Sequence, residues 1–324
     1  MKILITGVHG FVGSNLVEYL ALANEIYGLD IIAPEKSGVV RTYLWDDLDA
    51  GNVPEVDAII HLAGKAHDTK NQSAAEVYFK VNTGLTQKVF DYFLAHEGIK
   101  KFVFFSTAKA AADKVEGVLT EDLVPAPVGP YGESKIKAEE YILEKFKDYS
   151  LKFKDGSKVD SGKAKSVYIF RPCMIHGPGN KGNLNLLYNV VRKGIPWPMG
   201  AFENRRTFTS VENICFAVEG VLTKDVLSGI YNMGDDEALS TNELIEEICK
   251  SLGKKAHIWR LPKGLMNGVA TVGGWLHLPL NQERLRKLTE NYISSNEKIK
   301  KALGVERMPV DAKEGLKVTL DSFR

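Results

Sequence analysis

The chain has 324 residues, 44% of them hydrophobic and 26% charged, with 42 lysines and arginines against 41 aspartates and glutamates. That length suits one large or two modest domains, with a core that needs no disulfide or metal to hold it. A net charge of +1 excludes a general nucleic-acid binder, so nucleic acid is not an expected partner. Cys173, Cys215 and Cys249 are too few and too far apart for a disulfide framework or a CxxC site; no metal is expected, and a reducing cytoplasm fits. Met1 to Ile5 lacks the apolar run and cleavage site of a signal peptide. The longest run without Asp, Glu, Lys or Arg is 264–282. Its four glycines, His277, Pro279 and three amide side chains read as a buried or groove-lining segment rather than a span, and no membrane partner is expected.

Apolar runs at 2–6, 25–30, 41–45, 58–62, 101–106 and 166–170 predict six strands. Helical spacing at 11–22, 77–95 and 136–146 predicts helices between them. Phe102 to Phe105 are apolar in succession, which suits a strand covered on both faces. The alternation implies βαβ units and a parallel sheet. Segment 148–165, rich in lysine, serine and glycine, reads as an exposed hairpin or loop and not as a binding site. After Arg171-Pro172, glycines at 177, 179, 182, 194 and 200 mark loops between shorter elements.

The first turn carries chemistry. Gly7, Gly10 and Gly13, spaced by three, follow a predicted strand and open a predicted helix. Glycine suits unusual backbone angles and close approach of a phosphate, and the helix N-terminus offers free N–H groups to a pyrophosphate. Asp30 ends the second strand, 17 residues after Gly13. A carboxylate there accepts from ribose hydroxyls and repels a 2′-phosphate, favouring NAD over NADP. Lys36 and Arg41 lie close enough in sequence to soften that choice and leave NADP open. His9 reads as a tolerated residue of the same cofactor loop.

Pro125, Pro127 and Pro130 precede a helix starting near Tyr131, and the i, i+4 spacing sets Tyr131 and Lys135 on one face. An ammonium beside a phenol favours phenolate and lowers its pKa. Such a tyrosine takes a proton from a sugar hydroxyl while hydride leaves the same carbon.

With these residues the chain resembles the extended short-chain dehydrogenase/reductases, in their NAD-dependent epimerase/dehydratase branch that acts on nucleotide sugars. Further carriers are Phe11, Val12, Asp47-Leu48, His61-Leu62-Ala63-Gly64, Asn82, Phe105-Ser106-Thr107, Arg171-Pro172 through Gly177-Pro178, and Arg206-Thr207-Phe208. The resemblance implies an α/β fold: a Rossmann-type doubly wound parallel sheet over 1–172, with 207–233 returning to it, and a smaller α/β substrate-binding domain in 173–324. It implies that Thr107, Tyr131 and Lys135 are catalytic. Thr107 would bond the reacting oxygen, Tyr131 would be the acid/base, and Lys135 would tune it and hold the nicotinamide ribose. It assigns the cofactor Phe11 and Val12 in the loop, Asp47 and Leu48 beside the adenine, and Leu62, Ala63 and Gly64 along the groove. Asn82 would brace the site, and Pro172 would sit beside the nicotinamide. It implies a homodimer through helices 77–95 and 131–146.

The substrate implied is a nucleoside diphosphate sugar, with UDP favoured. Arg192, Arg205, Arg206, Arg284 and Lys287 are cationic candidates for the diphosphate, Arg206 first because it matches the family arginine. Asn183 and Leu184 fall on the implied nucleotide-binding helix, 194–200 on a loop enclosing the base, and Arg284 to Lys298 on the tail segment that closes the sugar-nucleotide site. Dehydratases of the family carry Asp-Glu after the catalytic Thr; here Ala108 and Lys109 follow Thr107, which disfavours elimination. A 4-epimerase is preferred. A reductase of a 4-keto-6-deoxy-N-acetylhexosamine is the first alternative, because the chain resembles a surface-polysaccharide subgroup holding both activities. A non-catalytic NAD and nucleotide-sugar binder and a hydroxysteroid dehydrogenase stay open.

Overall fold

The computed structural model describes residues 1–66, 74–152, 164–275 and 281–324, without the side chains of Lys152, Arg284 and Lys287. Five strands come first: β1 (Lys2–Thr6), β2 (Glu25–Asp30), β3 (Arg41–Leu44), β4 (Ala58–His61) and β5 (Lys101–Phe105). With Ser166–Pro172 and Gly229–Met233 they form a seven-stranded sheet. Its order is Gly229–Met233, Ser166–Pro172, β5, β4, β1, β2, β3, and every pairing is parallel. The seventh strand lies inside the segment expected to return from the second half.

Side chains alternate between two covered faces. Ile3, Ile5, Val103, Phe105, Tyr168 and Phe170 pack with helices Phe11–Leu20 and Val211–Thr223 on one side. Leu4, Leu29, Phe102, Phe104, Val167 and Ile169 pack with helices Leu85–Ala95 and Pro130–Lys152 on the other. Because both faces are buried, these strands carry continuous apolar runs. Each such side chain contributes about 1.5–3 kcal/mol on burial. β1 lies between β2 and β4, so strand order reverses there and a crevice opens beyond the strand ends.

A third core holds Leu184, Tyr188, Trp197, Met199, Leu244 and Ile248 from the second half. Short parallel pairs, Val118–Leu119 with Ile293–Ser294 and Met174–His176 with Phe208–Ser210, build the seam between the halves. Helix Glu297–Leu303 returns to the first core through Ile299 and Leu303.

Two expectations change. Much of 148–165 lies outside the described residues, but the helix expected to end near 146 runs to Lys152, and Lys165 is buried. Its ammonium donates to the carbonyls of Phe93, His96 and Ile99, capping the end of helix Leu85–Ala95 instead of facing solvent. Within 264–282, helix Lys263–Trp275 buries Met266, Ala270 and Gly273 but exposes Leu265, Val269, Val272 and Trp275. Only one face of that helix is buried.

Candidate active site

The loop after β1 is shaped by glycine. Gly7 has φ +70°, and a Cβ there would lie 3.0 Å from the Ala63 nitrogen. A Cβ on Gly13 would lie 2.4 Å from the Gly7 carbonyl oxygen, so helix Phe11–Leu20 presses its first turn onto the loop. Gly10 caps that helix without a side-chain hydrogen bond, leaving first-turn N–H groups to face the crevice. Asp30 Oδ2 accepts from the His9 amide at 3.0 Å, and its Oδ1 accepts from the Ile31 amide at 2.8 Å. The carboxylate is thereby fixed at the crevice rim. His9 contributes this backbone donor, and its ring meets Thr42 Oγ1 at 3.3 Å. Lys36 reaches the same loop, donating to Ser14 Oγ at 2.9 Å, whereas Arg41 stacks over Tyr43.

Phe11 and Val12 are partly buried against the first core, and Leu62 packs beside them. The Ala63 amide donates to Thr6 Oγ1. Asp47 accepts from the Leu44 amide and caps its own helix, Trp45–Asp49, at the end of β3. Leu48 turns into the core with Tyr43 and Val53, so only its backbone is left to meet a ligand.

A buried polar chain joins the loop to the catalytic helix. Thr6 Oγ1 accepts from Ala63 and lies 2.7 Å from His61 Nδ1; His61 Nε2 lies 3.0 Å from Thr86 Oγ1, which donates to the Asn82 carbonyl. Thr86 is already a donor, so Nε2–H donates to it, and in the neutral ring Thr6 donates to Nδ1. His61 is therefore neutral, its pKa lowered to about 3 by burial and by the charge of Lys135. Asn82 lies in a π-helical turn, Phe79–Gly84. Its Oδ1 accepts from the Lys65 amide at 2.7 Å, and its Nδ2 donates to Ser134 Oγ at 2.9 Å. A Cβ on Gly64 would lie 2.9 Å from Asn82 Oδ1 and 3.2 Å from Lys135 Nζ.

The Thr107 hydroxyl lies near the Tyr131 phenol and favours its ionised form. Thr107 caps the short helix Ala108–Ala111, accepting from the Lys109 amide. Lys135 Nζ donates to the Phe105 carbonyl at 2.8 Å and lies over the Phe104 ring. Below it, Glu139 pairs with Arg171 and accepts from Ser106 Oγ, all of them buried. Burial lowers the Lys135 pKa to about 8, opposed by Glu139. Burial likewise raises the Tyr131 pKa, opposed by the Thr107 hydroxyl. The sequence expectation was the opposite: a phenol lowered by its lysine. Tyr131 and Lys135 share one helix at i, i+4, but the largest influence on the phenol is its own desolvation. Pro172 is buried at the end of its strand, beside the partly buried Cys173.

Across the seam, Lys109, Asp113, Arg206, Arg286, Glu290 and Tyr292 line a narrow cavity. Lys109 Nζ binds Asp113 at 2.6 Å and lies over the Tyr292 ring; Arg286 reaches Asp113 at 3.5 Å. Arg206 is half-buried, and its pKa falls through burial. Arg286 also lines an adjoining open cleft of about 530 Å³ with Asn267, Gln282 and Thr289.

The profile of the NAD dependent epimerase/dehydratase family matches residues 3–234. The chain belongs to this family. A UDP-glucose 4-epimerase of Vibrio cholerae is 31% identical over 81% of this chain and 78% of its own. An N-acetyl-alpha-D-glucosaminyl-diphospho-ditrans,octacis-undecaprenol 4-epimerase of Escherichia coli O157:H7 is 27% identical over 93% of this chain and 85% of its own. The fold matches a Thermus thermophilus UDP-glucose 4-epimerase complexed with NAD, at TM-score 0.73 and 24% identity, covering 100% and 99% of the two chains. The crevice fits the family's cofactor on its own geometry: side chains are excluded at Gly7 and Gly13, and an anchored carboxylate waits at Asp30.

Other sequence candidates separate. Arg205 is exposed and held by Glu243, and Arg192 is exposed at the end of helix Asn183–Arg192. Asn183 opens that helix, while Leu184 faces the third core. The Arg284 and Lys287 side chains lie outside the described residues. In loop 194–200, Trp197 and Met199 are buried and bridge to Ile258 and Arg260. Arg286, Glu290 and Tyr292 fall in the 284–298 segment expected to close the sugar-nucleotide site, but sequence reasoning singled out none of them and missed Asp113. The i, i+4 spacing of Arg286 and Glu290 was the available signal.

Proposed function

We propose that the chain is an NAD-dependent nucleotide-sugar 4-epimerase acting on a UDP-hexose or UDP-N-acetylhexosamine. The observation that carries it is the Thr107 hydroxyl acting on the Tyr131 phenol, with Lys135 one helical turn further on and a crevice shaped for NAD after β1. NAD supplies the hydride acceptor and donor when bound. Tyr131 takes the proton of the sugar C4 hydroxyl, with the Thr107 hydroxyl bonded to the same oxygen. After the 4-keto sugar turns its other face, Tyr131 returns the proton to that oxygen. Lys135 holds the nicotinamide ribose, and its charge favours phenolate. The N–H groups after Gly10 meet the pyrophosphate, and Asp30 meets the adenosine ribose. Gly7, Val12, Leu62, Ala63, Gly64, Asp47 and Pro172 line the cofactor's path, and Asn82 braces it.

On the substrate side, Arg206 meets the diphosphate, with Arg286 across the cavity. Asn183 serves the nucleotide from the start of its helix. Ala108 and Lys109 after Thr107 leave no carboxyl pair for elimination, and Lys109 is held by Asp113. The enzyme works as a homodimer through helices Leu85–Ala95 and Pro130–Lys152, where Leu143 and Leu151 stand exposed. Three free cysteines suit a reducing compartment such as the cytoplasm.

The test is direct. Purified protein is denatured and the released nucleotide identified, and interconversion of UDP-hexose and UDP-N-acetylhexosamine epimers is followed by chromatography. A diphospho-polyprenyl sugar runs in parallel, because it shares the diphosphate. Retained NAD with epimer interconversion supports the reading. Preference for added NADPH, with consumption of a 4-keto sugar, replaces it with a reductase.

A further inference from the structure

Helix Lys263–Trp275 has three faces. At about 100° per residue, Met266, Ala270 and Gly273 share the face turned into the third core. Asn267 and Thr271 face helix Gln282–Thr289, whose Gln282 donates to the Asn267 carbonyl and to Thr271 Oγ1. The remaining face is apolar and exposed: Leu265 at 54%, Val269 at 46%, Val272 at 54% and Trp275 at 82%. A protein normally scatters such side chains; a stripe of four along one helix marks a contact surface.

Its charge surroundings are one-sided. From Ile248 to Gln282 the chain holds no aspartate or glutamate. Lys254, Lys255, Arg260 and Lys263 are exposed on the approach to the helix, and Trp259 is 55% exposed among them. Lys254 lies against the Arg192 carbonyl, which brings exposed Arg192 and Lys193 to the same flank. An apolar stripe, a terminal tryptophan and a basic approach segment make the pattern of a helix lying in a lipid headgroup layer, with Glu283 on the cleft side of the helix as the nearby acid. Thirteen residues span only about 20 Å as a helix. That falls short of the roughly 30 Å hydrocarbon core, so the helix lies on the surface. A second copy suits the face poorly, because a two-fold contact would set the cationic flank against itself.

We propose that this face docks the protein peripherally on an anionic membrane surface. Leu265, Val269, Val272 and Trp275 enter the headgroup region, and Lys254, Lys255 and Arg260 meet the lipid charges, whereas Lys263 lies over Phe202. The open cleft that adjoins the Arg206 cavity lies beside the docked helix, because Asn267 lines it. This revises the expectation of no membrane partner, which considered spans alone.

Flotation of the full chain with vesicles tests it. The protein floats with phosphatidylcholine–phosphatidylglycerol vesicles at low salt, less with phosphatidylcholine alone, and less at high salt. The double variant Val272→Ser, Trp275→Ser binds at least about tenfold more weakly, with unchanged turnover of a soluble substrate. If that variant folds poorly, Lys254→Glu with Lys255→Glu gives the same loss through charge. The proposal fails if wild type stays unbound on anionic vesicles, or if both double variants float as well as it does. It also fails if the serine variant turns a dimer into a monomer, since the stripe would then join two copies. Unchanged activity on a soluble substrate separates failure of docking from failure of the proposed reaction.

Discussion

Tyr131 opens one helix and Thr107 caps another just past β5, yet the Thr107 hydroxyl acts on the Tyr131 phenol. The pairing sets an acid/base next to a second hydroxyl that can follow the same oxygen through both half-reactions. Tyr131→Phe keeps the packing and removes the proton carrier. Turnover is expected to fall by about 10²–10⁴, with NAD still retained on purification. Thr107→Ala is expected to cost less, roughly tenfold to a hundredfold, since one hydrogen bond of about 1.5–3 kcal/mol to a charged oxygen is lost. Single-turnover kinetics with released-cofactor analysis checks both. An unimpaired Tyr131→Phe would sink the mechanism.

His61 links folding to acid pH. Its pKa falls from 6.5 to about 3 on burial, so the unfolded chain binds a proton over that window and the folded protein does not. The contribution is complete above pH 6.5 and is lost as pH drops toward 3. Between about pH 7 and about pH 4.5 this one group should remove about 2–3 kcal/mol of stability. His61→Gln should start less stable and lose less over the same range. Urea midpoints at the two pH values measure the difference; parallel curves would contradict the buried neutral histidine.

Asp30 is held by two amides, so its charge has a fixed place. Asp30→Ser removes the repulsion toward a 2′-phosphate and leaves Lys36 nearby on Ser14. NAD should bind about tenfold more weakly and NADP more tightly than in wild type. Calorimetric titration with both cofactors checks it, and an unchanged ratio would remove Asp30 from the ribose.

Gly13 tests the crevice without touching charge. A Cβ 2.4 Å from the Gly7 carbonyl cannot be accommodated without moving the loop or the helix. Gly13→Ala should lower stability by about 1–3 kcal/mol and abolish cofactor retention. Gly51→Ala is the contrast: its φ of +70° is strained, but no atom lies within 4 Å of the added Cβ. It should cost stability and spare the cofactor, by thermal melts and released-nucleotide analysis.

The parallel sheet, the glycine turn, Asp30 and the Tyr131/Lys135 pair were legible in the sequence because each is local. Strand runs, loop glycines and i, i+4 spacing are written within a few residues of one another. Tertiary structure alone decided the rest. It joined Thr6, His61, Thr86 and Asn82 into one proton-ordered chain across about eighty positions, and it reversed the direction of the Tyr131 pKa by burying the phenol. It brought Lys109 and Arg286 into one cavity and sent Lys165 inward to cap a helix. It also turned an apolar face of helix Lys263–Trp275 to the outside. Desolvation and long-range contact depend on what surrounds a residue, and no pattern along the chain carries that.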